Sequence, residues 1–91
     1  MPTIFNNIDG YRIYFVSYDC IEPMHVHVSI QNSVCKFWIR ENKPVLAWQK
    51  RFNTTELNEI SNIIVANIKI IKDAWDETCK GTEPKKYKKK N

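Results

Sequence analysis

Glycine is almost missing from this chain: there are two, Gly10 and Gly81, in 91 residues. That excludes a glycine-rich loop cradling a phosphate with backbone N–H groups. No apolar run approaches the roughly 20 residues a membrane-spanning helix needs. The opening Met1-Pro2-Thr3-Ile4-Phe5-Asn6 lacks the basic start and apolar centre of a signal peptide. Both observations point to a cytoplasmic protein with no membrane partner. Cysteine is sparse as well. Cys20, Cys35 and Cys79 are odd in number, widely spaced and without a CxxC, which is the usage of a reducing compartment and not of a disulfide framework.

What is present is enough for one domain. A chain of 91 residues folds alone with little surplus stability, and large rings have to carry much of its core. The net charge of +4 misleads until it is located. Residues 80–91 carry six lysines against Glu83, while residues 1–79 hold eight Lys and Arg against nine Asp and Glu. The basicity sits in a tail, read as solvated and disordered, and residues 1–79 form the domain. A tail of this kind can also act as an arm toward nucleic acid or an acidic partner.

Thr3-Ile4-Phe5 reads as a short first strand and Asn6 to Gly10 as a turn. From Tyr11 to Tyr18 residues alternate, with Tyr11, Ile13 and Phe15 on one side and Arg12, Tyr14, Val16 and Tyr18 on the other. Asp19 to Pro23 is a connection. Met24 to Ile30 and Val34 to Arg40 are strands joined across Gln31-Asn32-Ser33, and Val45 to Trp48 is a short strand after them, the fourth when Thr3-Ile4-Phe5 is left out of the count. The rest is helical. Asn53 is the N-cap, Glu56 the capping-box partner, and Phe52 and Leu57 the hydrophobic staple. The apolar stripe runs Leu57, Ile60, Ile64, Ile68, Ile71 and Trp75, widened by Ile63, Ile70 and Ala74, with Gly81 as the stop. One helix of about 26 residues would be about 39 Å long, so it has to bend, overhang or meet a second chain.

These pieces predict an α+β domain: an antiparallel sheet of three to four strands with one long C-terminal helix packed across one face. The helix takes the apolar face of Ile13, Phe15, Val26, Val28, Ile30, Cys35, Phe37 and Ile39. The open face then collects Arg12, Tyr14, Tyr18, His25, His27, Ser29, Lys36, Trp38 and Arg40. Cations and rings on one open face suit RNA, since cations neutralise phosphate and rings stack on unpaired bases. The same face can close a homodimer or dock another protein.

His25 and His27 share that face, and three chemistries are open to them. As acid and base they can run phosphodiester transfer, with Arg12, Lys36 or Arg40 steadying the phosphorane. As zinc ligands they need a third group, for which Glu22, Asp19 and Cys20 are the neighbours in sequence. As plain structure they hydrogen-bond across the sheet. Asp19 or Glu22 can orient one ring, and Cys20 beside a histidine is a candidate nucleophile. The expectation adopted is a catalytic pair, His25 and His27; phosphate and RNA contacts from Arg12, Tyr14, Lys36, Trp38 and Arg40; and no metal or cofactor.

Gly10-Tyr11-Arg12-Ile13-Tyr14, then Asp19, then Pro23-Met24-His25-Val26-His27, after the start Met1-Pro2-Thr3-Ile4, resembles the bacterial family called domain of unknown function 4160. Trp75, the Phe52…Glu56-Leu57 helix start and Lys36-Phe37-Trp38-Ile39 are similar to one branch of it. Met24 stands where the family's motif has a second proline. The resemblance implies a gene neighbour from another small family, domain of unknown function 2442, in an arrangement similar to toxin–antitoxin pairs. The expected function is therefore a toxin-like protein that binds or cleaves RNA, with a cognate antitoxin-like partner. The alternative is a non-enzymatic module that binds a protein or homodimerises.

Overall fold

The computed structural model describes residues 3–16 and 19–80, without the side chain of Asp19. Five strands form one antiparallel meander in the order β1 (Thr3–Ile8), β2 (Tyr11–Tyr14), β3 (His25–Ile30), β4 (Ser33–Arg40) and β5 (Lys43–Lys50). A 3₁₀ turn, Asp19–Ile21, lies between β2 and β3, and helices α1 (Thr54–Ala66) and α2 (Ile68–Thr78) complete the chain. The class is α+β as expected, but with five strands and two helices in place of three or four and one.

Each difference has a local cause. The first strand absorbs Asn6 and Asn7 because its register slips twice against β2, between Thr3 and Phe5 and again before Ile8. The reversal then needs only Asp9 and Gly10, whose φ values of 54° and 91° suit a tight hairpin twisted like the strands it joins. Glu41 and Asn42 repeat this between β4 and β5, with φ of 53° and 64°. β5 runs to both sides of Val45–Trp48 because it is an edge strand, where Pro44 is tolerated without its N–H.

The helix does not run through. Asn67 leaves helical geometry (φ −117°, ψ 21°). Its side-chain amide donates to the Ile63 carbonyl at 2.9 Å, and its backbone N–H is shared between Ile63 and Ile64. A short amide side chain that competes for the helix's own carbonyls ends one helix and starts another, which resolves the overlong single helix. The predicted start holds. Asn53 Oδ1 accepts from the Glu56 N–H at 2.8 Å, and Glu56 Oε1 accepts from the Asn53 N–H at 3.0 Å. α2 ends at Thr78 with Cys79 as its cap, and the predicted stop, Gly81, lies outside the described residues, as does the rest of the basic tail.

The core sits between the helices and one sheet face. Ile13, Val26, Val28 and Cys35 are fully buried there against Ile60, Ile64 and Ile71. Ile70, expected to widen the helical stripe, is exposed. A covalent tie closes the structure: Cys20, in the 3₁₀ turn, is disulfide-bonded to Cys79, with Cα atoms 5.5 Å apart. The spacing that argued against a disulfide framework is only a sequence separation, and the fold brings the two sulfurs together. Cys35 remains a free buried thiol.

Candidate nucleic-acid interface

Register builds the open face in cross-strand rows. Tyr14 of β2 lies opposite His27 of β3, His27 opposite Lys36 of β4, and Lys36 opposite Trp48 of β5. One row therefore crosses four strands with three rings and a cation. A second row runs from His25 to Trp38 to Val45, and a third from Arg12 through Ser29 and Val34 to Lys50.

The side chains interleave along these rows. The Tyr14 and His27 rings are stacked, 5.4 Å apart and 23° from parallel. The Arg12 guanidinium lies over Tyr14 at 4.3 Å and donates to Thr3 Oγ1 at 3.2 Å. Lys36 Nζ sits 4.3 Å above the Trp38 ring, and the Arg40 guanidinium is 5.8 Å from it. The predicted contact residues Arg12, Tyr14, Lys36, Trp38 and Arg40 thus occupy one surface together with His27.

Lys36 is not an unengaged cation. Glu22, from the connection before β3, accepts from its ammonium at 2.8 Å. Glu22 Oε1 is 3.8 Å from His25 Nδ1, too far for a hydrogen bond, so this carboxylate serves the lysine and not the imidazole. Asp19, the other candidate for orienting a histidine, has its side chain outside the described residues, as does the whole of Tyr18.

The two histidines differ sharply in access. His27 is half-buried between Tyr14 and Trp48, the latter ring 6.4 Å away. His25 is 0% exposed. Its Nδ1 is 2.8 Å from the Pro23 carbonyl, and since a carbonyl only accepts, Nδ1 carries the hydrogen. Its ring meets Trp38 and Trp75, each at 5.4 Å, and His27 at 5.2 Å. Among the described residues no three His, Cys, Asp or Glu side chains gather as metal ligands. Cys20, considered as a nucleophile, has its sulfur in the disulfide.

Sequence reasoning missed Trp48. The register slips between Lys36 and Phe37, so that Ala47 is extra. Without that bulge, counting from the Arg40–Lys43 pair sets Trp48 opposite Cys35, on the core face. One inserted residue turns it to the open face, and nothing in the sequence marks the insertion.

The pattern of the family described as "Domain of unknown function (DUF4160)" matches residues 10–76. The chain belongs to that family. The match takes in β2, the histidine strand and both helices up to Trp75, so the whole open face apart from β1 lies within it. No curated protein and no solved structure matches the chain.

Proposed function

We propose that this domain binds single-stranded RNA on its open sheet face, as the RNA-acting, toxin-like member of a two-protein pair in the cytoplasm. The observation that carries this reading is the row Tyr14–His27–Lys36–Trp48, flanked by Arg12, Trp38 and Arg40. Rings spaced across neighbouring strands offer successive stacking sites, and the cations between them meet the backbone. Charge distribution supports it. Residues 1–53, which hold the whole sheet, carry six Lys and Arg against four Asp and Glu; residues 54–79, which hold the helices, carry two against five. No helix among the described residues is long and apolar enough to cross a membrane.

The test is fluorescence anisotropy with a labelled unstructured oligoribonucleotide. Trp48→Ala should weaken binding by about 1–3 kcal/mol, the usual worth of one stacked base. Equal affinity of Trp48→Ala, Arg12→Ala and the parent chain would remove the reading.

Strand cleavage is a second reading, favoured by the 5.2 Å separation of the two imidazoles. In it His27, the accessible ring, takes the 2′-hydroxyl proton, and a protonated His25 returns one to the leaving 5′-oxygen, which requires the Trp75 ring to move off it first. Loss of cleavage with retained binding in His27→Ala is the expected signature. Binding without cleavage in the parent chain restricts the domain to binding. A stable homodimer in solution that hides Trp48 would favour the protein-docking alternative instead.

A further inference from the structure

The only cross-link in the described fold joins its last helical turn to the loop that leads into the histidine strand. Cys79 caps α2, its N–H donating to the Trp75 carbonyl at 2.8 Å. One turn back, Trp75 stands edge-on to Phe15 at 5.1 Å and lies against His25 at 5.4 Å. Cys20 sits in the 3₁₀ turn, followed by Glu22, which holds Lys36, and Pro23, whose carbonyl holds His25 Nδ1. The disulfide therefore fastens together the two pieces of chain that close over His25.

Apart from the disulfide, α2 is held by Ile71 and Trp75 in the core, by the partly buried Ile68 and Ala74, and by Lys72, which donates to Asn42 Oδ1 at 2.6 Å; its N-cap, Asn67, gives it no side-chain hydrogen bond. Asn67 is also where the backbone leaves helical dihedrals between α1 and α2, a natural pivot. Both disulfide-bonded cysteines are partly exposed, whereas Cys35 is buried.

We propose that Cys20–Cys79 is a reversible redox latch: oxidised, it clamps Trp75 over His25; reduced, it lets α2 swing about Asn67 and opens His25 to solvent. The reductant is a dithiol. One of its thiolates attacks a sulfur of the pair, the S–S bond breaks, and the other cysteine leaves as a thiolate that takes a proton from water. The second thiol of the reductant then resolves the mixed disulfide. Two cysteine thiols and one oxidised dithiol result, with two electrons transferred. Where a disulfide occurs in a reducing cytosol it is usually transient and redox-sensing, which fits this role.

The inference concerns access to His25 and stands whether or not RNA is the ligand. The full chain, oxidised or treated with dithiothreitol, is exposed to diethyl pyrocarbonate, and labelling of each histidine is read by peptide mass spectrometry. Local opening on reduction should raise the His25 labelling rate about tenfold or more, with His27 changing little. The Cys20→Ser, Cys79→Ser double variant should label like the reduced chain without reductant. Slow His25 labelling in both the reduced chain and the double variant overturns the proposal. So does rapid labelling in the oxidised chain. Amide hydrogen exchange on the reduced chain decides the remaining case: lost protection in β3 and β4 means global unfolding and also overturns it, because a latch requires the sheet to persist.

Discussion

The two faces of this sheet are made by the same strands and do opposite work. Toward the helices, Ile13, Val26, Val28 and Cys35 are wholly buried and pack against Ile60, Ile64 and Ile71, with the Tyr11–Glu59 hydrogen bond and the Cys20–Cys79 disulfide as the ties beside that packing. On the other side, alternate residues of those strands set Arg12 over Tyr14 and Lys36 over Trp38, partly in water. Cation–ring contacts at exposed sites are worth only about 0.5–1 kcal/mol and more where desolvated, so these pairs contribute less to folding than the buried apolar face does. The exception is His25. It lies opposite Trp38 of the open face yet touches Trp75, which also packs on Phe15 of the core. At that end of the sheet the two faces meet.

Two tryptophans make the sharpest probe of this division. Trp75 is 8% exposed and Trp48 46%. Trp75→Ala should cost about 3–5 kcal/mol of unfolding free energy, as for other large buried rings. Trp48→Ala should leave stability within about 1 kcal/mol, because a half-exposed ring at an edge strand leaves no closed cavity. Urea denaturation of both variants checks this. Similar losses would mean that the open face is part of the core, and the contrast between the faces would fail.

Alkaline pH reaches two buried groups of the core face. The Tyr11 phenol is raised from its ordinary 10.0 to about 12, first by burial and then by its 2.7 Å hydrogen bond to Glu59. Burial raises the Cys35 thiol from 9.0 to about 12. Both groups are held protonated in the fold. Their contribution is complete below about pH 9, where the unfolded chain is protonated too, and is lost as pH rises toward 12. Every tenfold gain in proton affinity on folding corresponds to about 1.4 kcal/mol, so urea midpoints should fall across this range by the equivalent of a few kcal/mol. Tyr11→Phe should flatten the upper part of the decline. A decline unchanged by Tyr11→Phe would assign the loss to other groups.

Alternation in β2, β3 and β4 was enough to place Arg12, Tyr14, His27, Lys36, Trp38 and Arg40 on one surface, because each strand has one face that must be buried and the side-chain period is two. The helix start was equally legible, since Asn53 and Glu56 satisfy each other within four residues. Features that depend on distant partners were not. The burial of His25 needs Trp75, fifty residues later, and the neutralisation of Lys36 needs Glu22 across a connection. The bulge at Ala47 leaves no compositional mark, yet it decides the face on which Trp48 lies. The pairing of Cys20 with Cys79 depends on where α2 ends, which depends in turn on the break at Asn67.

The smallest expected effect separates folding from binding on the open face itself. The Glu22–Lys36 pair is short; the Lys36 side chain is 13% exposed, but that of Glu22 is 45% exposed, so the pair is screened through Glu22 and contributes on the order of 1 kcal/mol, and Gln keeps an acceptor for the ammonium. Glu22→Gln should therefore barely move the urea midpoint. It should, however, release the Lys36 charge toward a phosphate. Each phosphate neutralised on a single strand adds about 0.7 to the slope of log affinity against log salt. The Glu22→Gln chain should show a steeper slope by about that amount and tighter binding at low salt, and Lys36→Ala in the same background should return the slope to the parent value. A midpoint shift of several kcal/mol with no change in slope would make the pair a structural strut and take Lys36 off the binding surface. The reverse pattern would mean that Glu22 tunes, through one neighbouring lysine, how strongly this face attracts a polyanion.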